Sequence, residues 1–192
     1  MFPRPAILVD VDGPLNPYAA KPTRRPAGYH THRLRPAGFH RPLRVWLDPS
    51  HGPWLLSLAA ATGADLVWAT TWEHEANEFI GPRLGLPELE WIDFGGRGSE
   101  HHDGRHGKVP AITAWAGERR IAWLDDEFQR RDAEWAAARP GTLLVPVSAR
   151  TGIGIDHLEQ VLAFLTGTPK TTEATDVTGA GRTPRTPGRA RR

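Results

Sequence analysis

The apolar residues of this chain fall in short runs, each stopped by a polar or Gly/Pro signal. Ala6-Ile7-Leu8-Val9 is apolar throughout and is followed by Asp10-Val11-Asp12-Gly13-Pro14. A short run without alternation predicts a buried strand, here over residues 5–12, and Gly-Pro ends it. Similar strands are predicted at Asp65–Ala69, Arg120–Leu124 and Thr142–Val147, with a shorter one within Glu88–Phe94. Helices are predicted between them at Trp54–Thr62, Glu73–Ile80, Lys108–Ala116, Gln129–Arg139 and Ile155–Leu165. Gly63 stops the first, and Pro110 falls in the first turn of the third, where a missing N–H is tolerated. Strands alternating with helices predict an α/β fold with a mostly parallel sheet.

Two stretches lack this pattern. Residues 13–47 contain no acid and seven cations, Lys21, Arg24, Arg25, Arg33, Arg35, Arg41 and Arg44, interleaved with His30, His32, His40, Tyr18, Tyr29 and Phe39. Rich in Pro and Gly, they read as a basic flap, with a short strand at Leu43–Leu47. So long a loop inside a compact domain is usually functional or disordered. From residue 167 onward Thr, Pro, Gly, Ala and Arg dominate, and such a tail lacks the apolar surface to order itself. The expected organisation is one domain over 1–166, with the flap inserted at 13–47, and a disordered basic tail over 167–192.

Composition narrows the class. The 192 residues are 39% hydrophobic and 24% charged, with no cysteine, which excludes disulfides and thiolate metal sites. No apolar run reaches the roughly 18 residues that span a bilayer. The first strand starts too early to leave room for a signal peptide, so a cytoplasmic protein with no membrane partner is expected. The net charge of +2 is uneven: residues 166–192 hold six Lys/Arg against two acids, the rest eighteen against twenty. The basic balance thus belongs partly to the tail and the flap.

Asp10 and Asp12 lie two apart, on one face of a strand. Like charges this close are costly without a cation or a proton between them. Thr70 and Thr71 also follow a strand, as do Asp125 and Asp126. A parallel sheet would bring all three strand ends to one edge, where α/β folds bind ligands. Carboxylates there suit a hard cation such as Mg²⁺. Lys108, at a helix start, is one of three Lys against 21 Arg, and a compact point charge beside the carboxylates suits a phosphate. His101-His102-Asp103 with His106 reads as a solvated loop, and Asp132 as a solvated helix-face residue. Seven tryptophans read as packing residues; Trp72, just after Thr70-Thr71, is the one expected to face the cleft and stack on substrate.

Together these features resemble the haloacid dehalogenase-like (HAD) phosphohydrolase superfamily. Asp10-Val11-Asp12-Gly13 matches its first motif, the Thr after strand 65–69 its second, Lys108 its third and Asp125-Asp126 its fourth. More narrowly, Trp-Ala-Thr-Thr-Trp-Glu and Trp-Leu-Asp-Asp resemble the small HAD domains associated with RNA-repair proteins. The resemblance implies a three-layer Rossmann-like fold, with the flap in place of a large cap, and a Mg²⁺-dependent phosphatase. It makes Asp10 the nucleophile, Asp12 the general acid and base, Thr70 a phosphoryl contact and Lys108 the charge balance. Gly13, Thr71 and Trp72 would contact substrate. Asp10, the Asp12 backbone carbonyl, and Asp125 or Asp126 would hold Mg²⁺. Thr70 is preferred to Thr71 because it lies nearer the strand end. The expected partner is a phosphorylated substrate, and the cationic, aromatic flap extends this to single-stranded nucleic acid. A phosphotransferase, or a non-catalytic module that binds phosphate ends in an RNA-repair system, is the alternative.

Overall fold

The computed structural model describes residues 3–95 and 104–167. Five parallel strands form the central sheet: β1 Ala6–Val9, β4 Asp65–Trp68, β5 Glu90–Trp91, β6 Ile121–Asp125 and β7 Thr142–Pro146, in the spatial order β5-β4-β1-β6-β7. β1 is central and pairs with both neighbours in one register, Ala6 opposite Asp65 and Ile121, Val9 opposite Trp68 and Leu124. The residues after β1, β4 and β6 therefore emerge side by side at one edge.

Both faces of the sheet are covered, which is why β1 and β6 are apolar at nearly every position. Ile7, Val9, Trp68 and Leu124 face one core with Leu55 and Leu58 of α1 (His51–Thr62) and Leu158 and Val161 of α5 (Ile155–Thr166). Ala6, Leu8, Val67 and Trp123 face a second core with Val109 and Ile112 of α3 (Val109–Ala116). Phe128, and Trp135 of α4 (Arg130–Ala138), meet the Trp123 ring edge-to-face. The result is the expected three-layer α/β arrangement. None of the described helices is long and apolar enough to cross a membrane.

Three segments differ from expectation. β1 leaves the ladder at Val9, so Asp10 to Asn16 form a turn in which the N–H groups of Leu15 and Asn16 both bond to the Val11 carbonyl. Residues 71–74 are turns, and after Glu75 a π-helical segment, Ala76–Ile80, continues into α2, Gly81–Leu84. The flap holds two strands, not one: β2 His30–Leu34 pairs antiparallel with β3 Leu43–Leu47. The hairpin is anchored by Leu34, Val45 and Leu47, which enter the first core. The tail from 168 and His101, His102 and Asp103 lie outside the described residues.

Candidate active site

The Asp10 carboxylate stands at the centre of the sheet edge. Its Oδ2 is 2.9 Å from Lys108 Nζ, and Asp125 Oδ2 is 2.8 Å from the same ammonium. Lys108 reaches them from the N-cap of α3, the far side of the sheet from the hairpin. All three groups are buried. One ammonium between two carboxylates leaves negative charge in excess. Burial, outweighing the attraction of Lys108, pushes the Asp10 carboxyl well above the usual range. Burial opposes the charge of Asp125 too, but Lys108 and His106 hold it well below that range. Burial likewise disfavours the Lys108 charge, and the two carboxylates more than restore it.

Asp126 completes the cluster. One carboxylate oxygen from each of Asp10, Asp125 and Asp126 lies within 4.8 Å of the other two. Burial raises Asp126 to about 6, against the bond it accepts from the Tyr18 hydroxyl at 3.0 Å. Three hard oxygen donors with surplus negative charge fit Mg²⁺. The sequence named Asp12 with them for its backbone carbonyl; its carboxylate lies in the cleft wall, accepting the Asn16 amide at 2.7 Å and the Trp72 indole N–H at 2.8 Å. Gly13 runs so close beneath Asp126 that a Cβ there would meet Asp126 Oδ1 at 2.2 Å.

A cleft of about 440 Å³ opens over these groups. Asp10, Lys108, Asp126 and Glu127 line it, together with Asp12, Thr71 and Trp72. Leu43, Arg44 and Val45 of the hairpin also line it. The two threonines separate. Thr71 is exposed and lines the cleft, whereas Thr70 is fully buried and its Oγ1 accepts the Trp72 backbone N–H at 3.3 Å.

Two readings from the sequence need correction. Asp132 is fully buried, not solvated: Oδ2 accepts the Gln129 N–H at 2.6 Å and Oδ1 the His106 N–H at 2.8 Å. It caps α4, and Asp three residues after the Gln129 N-cap was a readable sign of that. His106 is also buried. Its Nδ1 accepts the Lys108 backbone N–H at 3.2 Å, which leaves the proton on Nε2, 3.4 Å from Asp125 Oδ1. Asp132, His106 and Asp125 thus form a chain of support beneath Lys108. Asn16 and Tyr18 were also missed. Each carries a polar group toward the cleft from inside the basic segment, where nothing local marks it.

A family model described as the HAD domain in Swiss Army Knife RNA repair proteins matches residues 6–158. A solved structure described as a HAD superfamily (subfamily III A) hydrolase from Legionella pneumophila is similar, with a TM-score of 0.43 and 15% sequence identity, covering 85% of this chain and 82% of that one. No curated protein matches the chain.

Proposed function

Because the chain belongs to the family of HAD domains in Swiss Army Knife RNA repair proteins, we propose that it is a Mg²⁺-dependent phosphohydrolase. Its substrates are phosphomonoesters, the terminal phosphate of a nucleic-acid strand among them. The observation that carries this reading is the convergence of Asp10, Asp125 and Asp126 around one point, with the Lys108 ammonium 2.9 Å from Asp10.

Asp10 attacks phosphorus, forming a bond from its carboxylate oxygen while the bond to the leaving oxygen breaks. Asp12 gives its proton to that leaving oxygen, so the alcohol departs neutral. Water then attacks the aspartyl-phosphate, Asp12 takes its proton, and phosphate leaves with Asp10 restored. Lys108 stays charged throughout and offsets the negative charge brought to Asp10. Thr71, which lines the cleft, is placed to hydrogen-bond the phosphoryl oxygens, while buried Thr70 shapes the turn that presents it. Mg²⁺, held by Asp10, Asp125 and Asp126, would neutralise charge on the phosphoryl group. The need is clear, since unit charges ~4 Å apart interact by about 4 kcal/mol at an effective dielectric near 20. Positioning and neutralisation are most of what phosphoryl transfer requires.

Nucleic acid as substrate is supported by the hairpin wall. Arg44 lines the same cleft as the acids and stacks 4.0 Å over the Trp46 ring. Arg33, Arg35 and Arg41 lie in the same hairpin, where following phosphodiesters could run. The test is phosphate release from an aryl phosphate and from 3′- and 5′-phosphorylated oligonucleotides, with Mg²⁺ and with chelator. Release that needs Mg²⁺ and is abolished in Asp10→Asn is expected. An Asp10→Asn protein as active as the parent would overturn the mechanism. Oligonucleotide binding without any phosphate release would favour a non-catalytic module instead.

A further inference from the structure

We propose that Asn16 and Trp72 are positioning residues that fix the carboxyl plane of Asp12 for proton transfer; this rests on the reading of Asp12 as general acid. A carboxyl group at a cleft wall turns easily about its last bond, whose torsional profile is broad. Here that rotation is blocked from both sides. Asn16 Nδ2 donates to Oδ1 at 2.7 Å, and Trp72 Nε1 donates to Oδ2 at 2.8 Å. Turning the carboxyl breaks both bonds at once.

The two donors are themselves held. Asn16 is buried, and its Oδ1 accepts the backbone N–H of Trp46 in β3 at 3.0 Å. That contact determines the amide orientation: the oxygen must face the Trp46 N–H, so the NH₂ faces Asp12. Trp72 is also buried, its ring set edge-on to Phe79 and its backbone N–H bonded to Thr70. Three segments far apart in sequence, the turn after β1, the residues after β4 and the hairpin strand β3, thus meet at one carboxyl. The sequence expects Trp72 to stack on substrate; its indole N–H is committed to Asp12, and the residue lines the cleft.

The chemistry gives these donors a purpose. When Asp12 releases its proton to the leaving oxygen, negative charge develops on the carboxylate. Two N–H groups already aimed at it stabilise that charge without reorganisation. Each oxygen retains a second lone pair, so the transferred proton has a place to sit. Such assistance matters most for a basic leaving oxygen, such as that of a ribose or another alkyl group, and least for an activated phenolate.

The test compares an alkyl phosphate, glycerol phosphate, with an activated aryl phosphate, nitrophenyl phosphate, in the full chain with Mg²⁺. The variants are Trp72→Phe, which keeps a ring but no N–H, and Asn16→Ala, each checked by thermal melting. For the alkyl ester kcat/KM should fall roughly 10–100-fold, part of the ~10²–10⁴-fold that general acid–base catalysis contributes. The fall for the aryl ester should be several-fold smaller, with KM little changed in both. Equal losses on the two esters, or no loss on either, would overturn the inference while leaving the phosphatase reading intact. A parent protein inactive on both esters would sink the two together. If Asn16→Ala fails to fold, Trp72→Phe carries the test alone.

Discussion

Gly13 and Asp126 share one small volume: the Cα of the first lies where any side chain would strike the carboxylate of the second, with Oδ1 only 2.2 Å from an added Cβ. Gly13 also holds φ at +90°, a conformation that L side chains rarely adopt. The glycine of the first motif therefore makes room for an acid of the fourth.

Gly13→Ala should act in two ways. Backbone strain should cost on the order of 1–3 kcal/mol of stability. Displacement of Asp126 should weaken cation binding, so the Mg²⁺ concentration giving half-maximal phosphatase activity should rise about tenfold, or ~1.4 kcal/mol. Chemical denaturation and a Mg²⁺ titration check the two effects separately.

Lys108→Met should leave the buried carboxylates of Asp10 and Asp125 without their shared ammonium. Breaking a buried charge pair costs about 3–5 kcal/mol. A divalent cation can take over the lost role, so the rise in Tm on adding Mg²⁺ should be larger in the variant than in the parent. Activity should fall by more than ~100-fold, because the remaining charge balance is wrong for phosphoryl transfer. An equal Mg²⁺ response in both proteins would contradict this account of the site.

Thr70→Val and Thr71→Val should separate the two threonines. Thr71 faces the cleft, so its loss should raise KM or lower kcat for phosphomonoesters with little change in Tm. Thr70 is buried and bonds the Trp72 backbone, so its loss should lower stability by about 1 kcal/mol. Steady-state kinetics with paired melting curves decides between them.

His51 should make folding depend on pH. Burial, only partly countered by Asp48, lowers it to about 4, and its ring packs against Tyr29 and Trp54. The folded protein keeps it neutral, while the unfolded chain takes up a proton below about 6.5. Its contribution is therefore complete above pH 6.5 and is lost as pH falls from there toward 4. Between pH 7 and pH 5 the loss should be about 2 kcal/mol. Urea titrations of the parent and His51→Gln at the two pH values should show it as a difference in slope, since other groups titrate in both.

Read from the sequence alone, β1, β4, β6 and β7 and the helices α1, α3, α4 and α5 were legible, because strands buried on both faces are short apolar runs. The polar residues at their ends were legible for the same reason: Asp10, Thr70 and Asp125 stand where apolar runs stop. β2 was not. His30, Thr31, His32 and Arg33 have no apolar alternation, and the strand exists because β3 pairs with it and Leu34 reaches the core. Which threonine faces the cleft, and that His106 is buried, also had no local sign. What determines the burial of a polar side chain is its partner. Asn16 finds Asp12 in its own turn but Trp46 thirty positions away, and Trp72 reaches Asp12 across sixty. Hydrophobic pattern is a local property of the chain, so it specified the sheet and which acids lie at its edge. Hydrogen-bond partners are brought together only when separate segments pack, so the orientation of those acids was decided by the tertiary structure.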